Sequence, residues 1–334
     1  MPGRCRTCVP TTHLLRAPTE VQRYRTEFRA MACDNVIELY AASDALAKEA
    51  ASAVVAEVQR IERKYSRYLA DSVVTQINNA KHEQGRCVWS NIDRETAQLL
   101  DFANSCFAQS GGLFDITSGV LRRVWDFKAA VLPTEASLAS VLPLIGWPHV
   151  ERQPDAVRLT RPGMEIDFGG FGKEYAADRA AAVLLAHGIA HGFVDLGGDV
   201  VVTGPPANAE AWSLGIRHPR RINDLLESVA IASGAVATSG DYERYFEQDG
   251  HRYSHILNPR TGQSVEGLQS VTVFAPTCMV AGAVTTIAML KGLTEGLRWL
   301  REVMAHGGQW LAVDADGVIH RGGVLWSSSP EPAC

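Results

Sequence analysis

The residues that could do chemistry are concentrated in two segments of the chain. The first contains an acid, a glycine pair and a lysine in close succession, namely Asp167, Gly169-Gly170 and Lys173. Glycines let a backbone approach a ligand closely, and a lysine beside them suits a phosphate group. The segment therefore predicts the phosphate end of a nucleotide site. The alternative is a set of ordinary tight turns, because GGFGKE matches neither a P-loop nor a dinucleotide fingerprint.

The second segment, residues 252–262, contains His255, Arg260 and an Asn-Pro turn. Histidine and arginine in loops on a rigid scaffold are good candidates for proton transfer and anion binding. His255 is the candidate for proton transfer, because an unperturbed imidazole titrates near neutral pH. Arg260 is the candidate to bind an anionic group such as a phosphate, with a salt bridge to a carboxylate as the alternative.

Local patterns predict the elements that position the first segment. Residues 164–168 alternate in polarity and predict a strand that ends at the glycine pair. Residues 173–187 predict an amphipathic helix that stops at Gly188. Lys173 then lies in the first helical turn, where a cation opposes the helix dipole. We therefore expect a bound anion at this helix end.

The rest of the chain alternates between helical and strand patterns. A helix follows Ser43 or Asp44, a second follows Asn91 or Asp93, and Asp115 is itself a possible helix cap. Further helices are predicted at 135–142, 278–290 and 294–306. Strands are predicted at 36–41, 192–196, 200–202, 212–217, 228–237, 269–275, 310–313 and 318–320.

Composition bounds the function classes. The 334 residues are 46% hydrophobic and 21% charged, with a net charge of -5, which gives no electrostatic reason to bind nucleic acid. The seven cysteines are scattered, so we expect reduced thiols and a cytoplasmic protein. No apolar run of membrane length or signal peptide is recognised. We expect a basic, structureless extension over 1–26 and a single domain over 27–334.

A set of motifs in fixed order is more specific than any one of them. From about residue 28 they are FRAMAC, SRYLADS, GLFDITSG, IDFGGFGKEYAADRA, FVDLGGDV, VATSGDYERYF, YSHILNPRTG and AGAVTTIAMLKG. This set resembles the FAD:protein FMN transferase family, the ApbE-type flavin transferases. The resemblance implies an α+β fold, in which helices flank antiparallel sheets, with FAD as substrate and Mg²⁺ as cofactor. It also implies transfer of the FMN moiety to a Thr or Ser hydroxyl of an acceptor flavoprotein, with release of AMP.

The resemblance also assigns residues. His255 and Asp167 become the candidate catalytic pair, Gly170 and Thr286 the metal ligands, and Tyr68 and Phe114 would flank rings. The implied flavin-binding positions are Met31, in place of a Met-Gly-Thr motif, and Tyr68, Leu113, Phe114, Asp115, Asp167, Lys173 and Ile256. We expect the FAD diphosphate against the Gly169-Gly170 turn, with Lys173 beside it and His255 within reach.

One departure from the family pattern concerns the metal. The family usually places an aspartate four residues before Thr286, where this chain has Gly282. Because Mg²⁺ is normally held by one or two carboxylates with substrate phosphates, either another acid substitutes, with Asp199, Asp241 and Asp115 as candidates, or the pyrophosphate recruits the metal, or transfer is lost. An FAD pyrophosphatase and a non-catalytic FAD-binding protein are therefore the alternatives. Gly282→Asp is a probe of this departure, since a gain of metal-dependent activity would show that the missing acid limits the protein.

Overall fold

The computed structural model describes residues 20–80, 82–83, 86–221, 223–305 and 307–323. Most of the expected N-terminal extension, residues 1–19, lies outside these described residues. The extension was predicted to be structureless as far as residue 26, and this is wrong from Gln22, where the first strand begins. Charged residues alternate there with less exposed ones, because this edge strand is exposed along one face.

The fold is built on an eight-stranded antiparallel sheet whose spatial order follows the chain order. Its strands are β1 Gln22–Ala30, β2 Cys33–Ala41, β3 Gly192–Leu196, β4 Asp199–Gly204, β5 Gly234–Gly240, β6 Leu268–Ala275, β7 Gln309–Asp314 and β8 Ile319–Gly323. Antiparallel neighbours with helices packed on the sheet confirm the predicted α+β class.

In the described ranges six α-helices accompany the sheet, and they are α1 Asp44–Tyr65, α2 Val73–Asn78, α3 Arg94–Ser110, α4 Glu135–Val141, α5 Gly172–Ala186 and α6 Cys278–Val303. Ser43 caps α1 and Asp93 caps α3 through their side chains, as the sequence predicts. α1 packs on α5, α5 packs on α6, and α6 packs on β5 and β6. These contacts enclose the main apolar core.

Shorter elements surround this core. Turns of 3-10 helix occupy Ile116–Arg123, Leu142–Leu144 and Trp147–His149. Small sheets pair His82–Glu83 with Arg86–Cys87, Trp212–Arg217 with Leu225–Ile231, and Tyr245–Gln248 with His251–Ser254. In a three-stranded sheet Ala156–Leu159 lies between Ser90–Asn91 and Val150–Gln153.

Two strand predictions are wrong. Residues 164–168 alternate in burial as predicted but join no sheet. The Asn78 side chain replaces a strand partner there, because it donates to the Ile166 carbonyl at 2.9 Å and accepts from the Ile166 amide at 2.7 Å. The predicted strand at 228–237 is two strands in different sheets, since the chain turns before Gly234, whose φ is 91°. A positive φ is accessible to glycine at little cost.

α6 contains both of the helices predicted for the C-terminal part. Gly292 has φ 73° and ψ -171°, which interrupts the helix between them. α6 is also the one helix among the described residues that is long and apolar enough to cross a membrane by length and composition. Half of its most apolar window is buried inside the protein, which is the usual situation of a core helix.

Candidate functional site

The amino group of Lys173 forms an ion pair with Asp199. Lys173 lies in the first turn of α5, Asp199 begins β4, and the N···O distance is 2.7 Å. Burial alone would lower the pKa of Lys173, but the carboxylates of Asp199 and Glu174 outweigh that effect and raise it. The cation at the helix start is therefore balanced by a protein carboxylate in this structure, and the anion expected at this helix end stays a prediction.

Glu174, the next residue of α5, points at α6. A Cβ atom added to Gly282 would lie 2.5 Å from Glu174 Oε1 and 2.6 Å from its Cγ. The residue is 9% exposed, and its Oε2 atom has no hydrogen-bond partner. Burial raises the pKa of Glu174, and the nearby Asp199 carboxylate adds to the rise. A buried carboxylate with one free oxygen therefore fills the space that a side chain at position 282 would need.

Hydroxyl groups lie on the same face of α6. Residues 282 and 286 are four apart, so they are neighbours on the helix surface. Ser239 of β5 contacts Thr285 Oγ1 at 2.9 Å and Thr286 Oγ1 at 3.1 Å through its own hydroxyl. Thr285 also donates to the Gly282 carbonyl at 2.9 Å. Oxygen atoms of the kind that hard cations prefer thus lie within one helical turn of Gly282, the residue that Glu174 contacts.

The glycine pair lies in a turn that Asp167 organises. Asp167 Oδ1 accepts from the Gly169 amide at 2.9 Å, and Oδ2 forms an ion pair with Arg67. The Gly169 N–H is therefore already bonded, and it is not free for a phosphate in this conformation. A Cβ on Gly170 would lie 3.1 Å from the ring of Phe114, so glycine is needed at this close approach.

The two aromatic residues expected to flank a ring differ in exposure. Tyr68 is 74% exposed, and its hydroxyl accepts from Arg67 at 3.0 Å. Phe114 is 4% exposed and stacks on Phe171, so its ring belongs to the core in this structure, and its role beside a ligand ring stays a prediction. Tyr68 remains available, whereas Leu113 and Phe114 can offer a ligand chiefly their backbone.

Asp115 acts as a helix cap. Its Oδ1 accepts from the Thr117 amide at 2.8 Å, and its Oδ2 accepts from the Trp147 amide at 2.9 Å. A cleft of about 430 Å³ adjoins it and is also lined by Gly112 and Arg260. Arg260 donates to the Gly111 carbonyl and pairs with no carboxylate in the described part of the chain. The arginine thus faces a hollow of the size that small-molecule sites have.

His255 lies where the short hairpin ends. Its backbone amide donates to the Arg244 carbonyl at 2.9 Å, and the residue as a whole is exposed. Desolvation by the surrounding protein lowers the pKa of His255, and the positive charges of Arg244 and Lys173 add to the effect. His255 and Lys173 are therefore within electrostatic reach of each other. The neighbouring Ile256 is buried in the main core at 9% exposure.

The β1–β2 and β3–β4 hairpin turns lie at the same end of the sheet's strands. Met31 and Ala32 form the β1–β2 turn with φ values of 56° and 61°, and the Met31 amide donates to Glu62 at 2.8 Å. Gly197 lies in the β3–β4 turn, and a Cβ there would be 2.9 Å from the sulfur of Cys33. Its carbonyl is 3.5 Å from the Lys173 amino group. Met31 and Lys173 thus lie at the same end of the sheet.

The acids expected to replace the missing aspartate are already engaged. Asp199 pairs with Lys173, Asp115 caps a helix, and Asp241 holds Arg220 through two bonds of 2.6 and 2.7 Å. Within the described ranges no group of three or more His, Cys, Asp or Glu residues could hold a metal. Oε2 of Glu174, by contrast, accepts no hydrogen bond. With the hydroxyl of Thr286, it fits a hard cation that substrate phosphates help to bind.

Sequence reasoning missed two residues of this region. Glu174 looked ordinary, because an acid in the first turn of a helix is favourable. Only its contact with Gly282 distinguishes it, and that contact joins residues far apart in the chain. Arg244 is exposed beside His255, and no ion pair of its side chain is found in the described part of the chain. Its position in the ATSGDYER motif was the available signal.

Comparison with known proteins is consistent along the whole site. The model of the ApbE family matches residues 31–307. An FAD:protein FMN transferase of Klebsiella pneumoniae is 32% identical over 273 residues, which cover 80% of this chain and 82% of that protein. One from Treponema pallidum is 32% identical over 63% of this chain and 64% of that protein.

Solved structures agree. The ApbE protein of Thermotoga maritima superposes with a TM-score of 0.81 at 32% identity, over 90% of this chain and 97% of that one. Flavin transferase ApbE of Vibrio cholerae has the same fold, with a TM-score of 0.77 at 23% identity, over 91% and 97% of the two chains. The matched residues include every candidate site position from Met31 to Thr286. The chain therefore belongs to the ApbE family.

Proposed function

We propose that this protein is an FAD:protein FMN transferase, which moves the FMN moiety of FAD to a Thr or Ser hydroxyl of an acceptor flavoprotein and releases AMP. The observation that carries the proposal is the match of residues 31–307 to the ApbE family, together with relatives named FAD:protein FMN transferase that align over most of this chain. The Lys173–Asp199 ion pair lies within the matched residues. Phosphoryl transfer requires a base for the attacking hydroxyl and positive charge for the phosphate oxygens. His255 and Lys173 are residues of these two types.

In the proposed reaction the acceptor hydroxyl oxygen attacks the phosphorus that carries riboflavin. A new P–O bond forms to the acceptor, and the P–O bond of the diphosphate bridge breaks. AMP leaves with the bridging oxygen, and the hydroxyl proton passes to a base. No oxidation or reduction takes place.

The residues divide this work. His255 takes the proton, which its lowered pKa favours because the ring is neutral at neutral pH. Lys173 provides positive charge for the diphosphate while Asp199 fixes its amino group. Asp167 orients the glycine turn, and Tyr68 is available to a flavin ring. Arg260 faces the adjacent cleft, where it can hold a phosphate or the acceptor.

Magnesium is the cation we propose, with Thr286 among its ligands. When bound, Mg²⁺ neutralises charge on the phosphate oxygens and orients them. The residues described around Gly282 fit a hard, oxygen-liganded cation. A cytoplasmic location stays a prediction from the cysteine pattern, and the four described cysteines, Cys33, Cys87, Cys106 and Cys278, are all free.

The test is a reconstituted transfer. The protein is mixed with FAD, Mg²⁺ and an acceptor that carries the family's Asp-x-x-Ser/Thr-Gly-Ala-Thr type of motif, and acid-stable flavin on the acceptor is measured with AMP release. The expected result is covalent flavin and AMP in equal amounts. AMP without acceptor would instead identify an FAD pyrophosphatase, and FAD binding without AMP would identify a binding protein. Acceptor with its Thr or Ser changed to Ala is the control.

A further inference from the structure

We infer that Glu174 is the carboxylate ligand of the divalent cation, supplied from α5 in place of the missing side chain at Gly282 of α6. The inference rests on the proposed function, since the remaining ligands are the FAD diphosphate, the Thr286 hydroxyl and water. It concerns a residue on a different helix from the family's usual metal aspartate, and it specifies how this chain builds its cation site.

The first argument is geometric. Glu174 Oε1, Cγ and Cδ lie 2.5, 2.6 and 2.9 Å from the position of a Cβ at residue 282. Real Cβ atoms do not approach other atoms so closely, so a side chain at 282 and Glu174 in this rotamer exclude each other. The carboxylate on α5 therefore occupies the start of the path that a carboxylate on α6 would take.

The second argument is the unpaired oxygen. Glu174 is 91% buried, because its exposed fraction is 9%, and its Oε2 accepts no hydrogen bond. A buried polar oxygen without a partner costs free energy. A cation bound to Oε2 would remove that cost. Structural acids of this region show the contrast, since Asp178 uses both oxygens to accept from the Cys278 and Met279 amides at 2.8 and 3.0 Å.

The third argument is the neighbourhood. Thr286 lies one helical turn from Gly282 on α6, and its hydroxyl shares one bond of 3.1 Å with Ser239. The neighbouring acid Asp199 begins β4. Asp199 itself is held by Lys173, which leaves Glu174 as the ligand. Magnesium needs only one or two protein carboxylates when phosphates complete its shell.

This geometry also bears on Gly282→Asp as a probe of the missing acid. The Cβ of the single substitution would collide with Glu174. We expect it to lower stability and to bind the cation no better. The exchange that respects the packing is the double variant Glu174→Gly with Gly282→Asp, which moves the carboxylate from one helix to the other.

The test measures cation binding directly. Mn²⁺, which prefers the same oxygen ligands and is visible by electron paramagnetic resonance, is titrated into full-length protein with saturating FAD, and FAD alone gives the background. Glu174→Gln should weaken Mn²⁺ binding about a hundredfold or more, because it removes a charged ligand at close range. Glu38→Gln is the matched control, since Glu38 is 2% exposed, lies on β2 and pairs with Arg23 instead. It should bind Mn²⁺ as the natural protein does.

Each result decides the inference. Weakened binding in Glu174→Gln with recovery in the double variant supports it. Unchanged Mn²⁺ affinity in Glu174→Gln, or no protein-bound Mn²⁺ in the natural protein, overturns it. If Glu174→Gln does not fold, the double variant decides, since Mn²⁺ binding near the natural affinity supports the exchange and its absence refutes it. Glu174-dependent Mn²⁺ binding without flavin transfer would refute the proposed function alone, so the two failures are distinguishable.

Discussion

Lys173 and Asp199 form an ion pair of 2.7 Å that joins the first turn of α5 to the start of β4. Asp199 is 3% exposed and also accepts from the Thr238 amide. Burial raises the pKa of Asp199, and Lys173 opposes that rise. Lys173 therefore neutralises a buried acid before any substrate binds, in addition to its proposed role at the diphosphate.

Lys173→Met should destabilise the protein by about 3 kcal/mol, because it leaves Asp199 buried without its partner. The double variant Lys173→Met with Asp199→Asn should regain most of that loss, since it removes the orphaned charge. Urea denaturation at neutral pH measures both. Lys48→Met is the control, because its pair with Asp44 is exposed and should be worth less than about 1 kcal/mol. Equal effects of the two single variants would contradict this account.

The pH dependence of transfer should reflect His255. Its pKa is lowered from 6.5 by desolvation and by Arg244 and Lys173, so the neutral ring persists into mildly acidic solution. A histidine accepts a proton only when its ring is neutral. We therefore expect the acidic limb of kcat/KM to fall below pH 6.5, and His255→Gln to remove that limb together with most activity.

His251→Gln is the control for the pH profile, since His251 is exposed. It begins the second strand of the hairpin that contains Tyr245–Gln248 and His251–Ser254. It should leave the profile unchanged. Arg244→Gln should move the acidic limb upward, because one of the charges that lower the pKa of His255 is removed. An acidic limb above pH 6.5 in the natural protein would reject the assignment of His255.

Asp115→Ala tests a structural role for a residue that the resemblance assigns to flavin binding. The side chain accepts from two backbone amides and from the Thr117 hydroxyl, and Asp115 is 7% exposed. Its removal leaves buried donors unpaired, so we expect a loss of about 2 kcal/mol without any flavin present. Ser43→Ala, which removes an exposed cap with one such bond, should cost about 1 kcal/mol or less. A stability loss that appears only with FAD would contradict the structural role.

The sequence predicts elements whose cause is local. The start of α5 near Lys173, its stop before Gly188 and the Asp93 cap of α3 each follow from residues close in the chain. The fold class follows from the motif order. The strand expected at 164–168 fails because its partner is a side chain, Asn78, and a side-chain partner leaves no periodic signal.

The candidate site is predictable only in part, for the same reason. Lys173 and His255 can be selected by type and context, and the structure brings them within electrostatic reach. The engagement of Asp199, and the fit of Glu174 over Gly282, depend on contacts across the fold. Periodicity reports which face of an element is buried, but it does not report which side chain of another element meets it.

Ala32→Gly should stabilise the protein, which tests the strain in the β1–β2 turn. Met31 and Ala32 both have positive φ, at 56° and 61°, and a left-handed conformation costs a residue with a Cβ about 1–2 kcal/mol. Glycine avoids that cost but is more flexible when unfolded, so we expect a net gain of about 0.5–1 kcal/mol. Thermal and urea unfolding without FAD measure it. Ala53→Gly, in the middle of α1, is the matched control and should destabilise by about 0.5–1 kcal/mol, so the same chemical change should have opposite signs at the two positions. Loss of stability at both would show that the turn carries no strain.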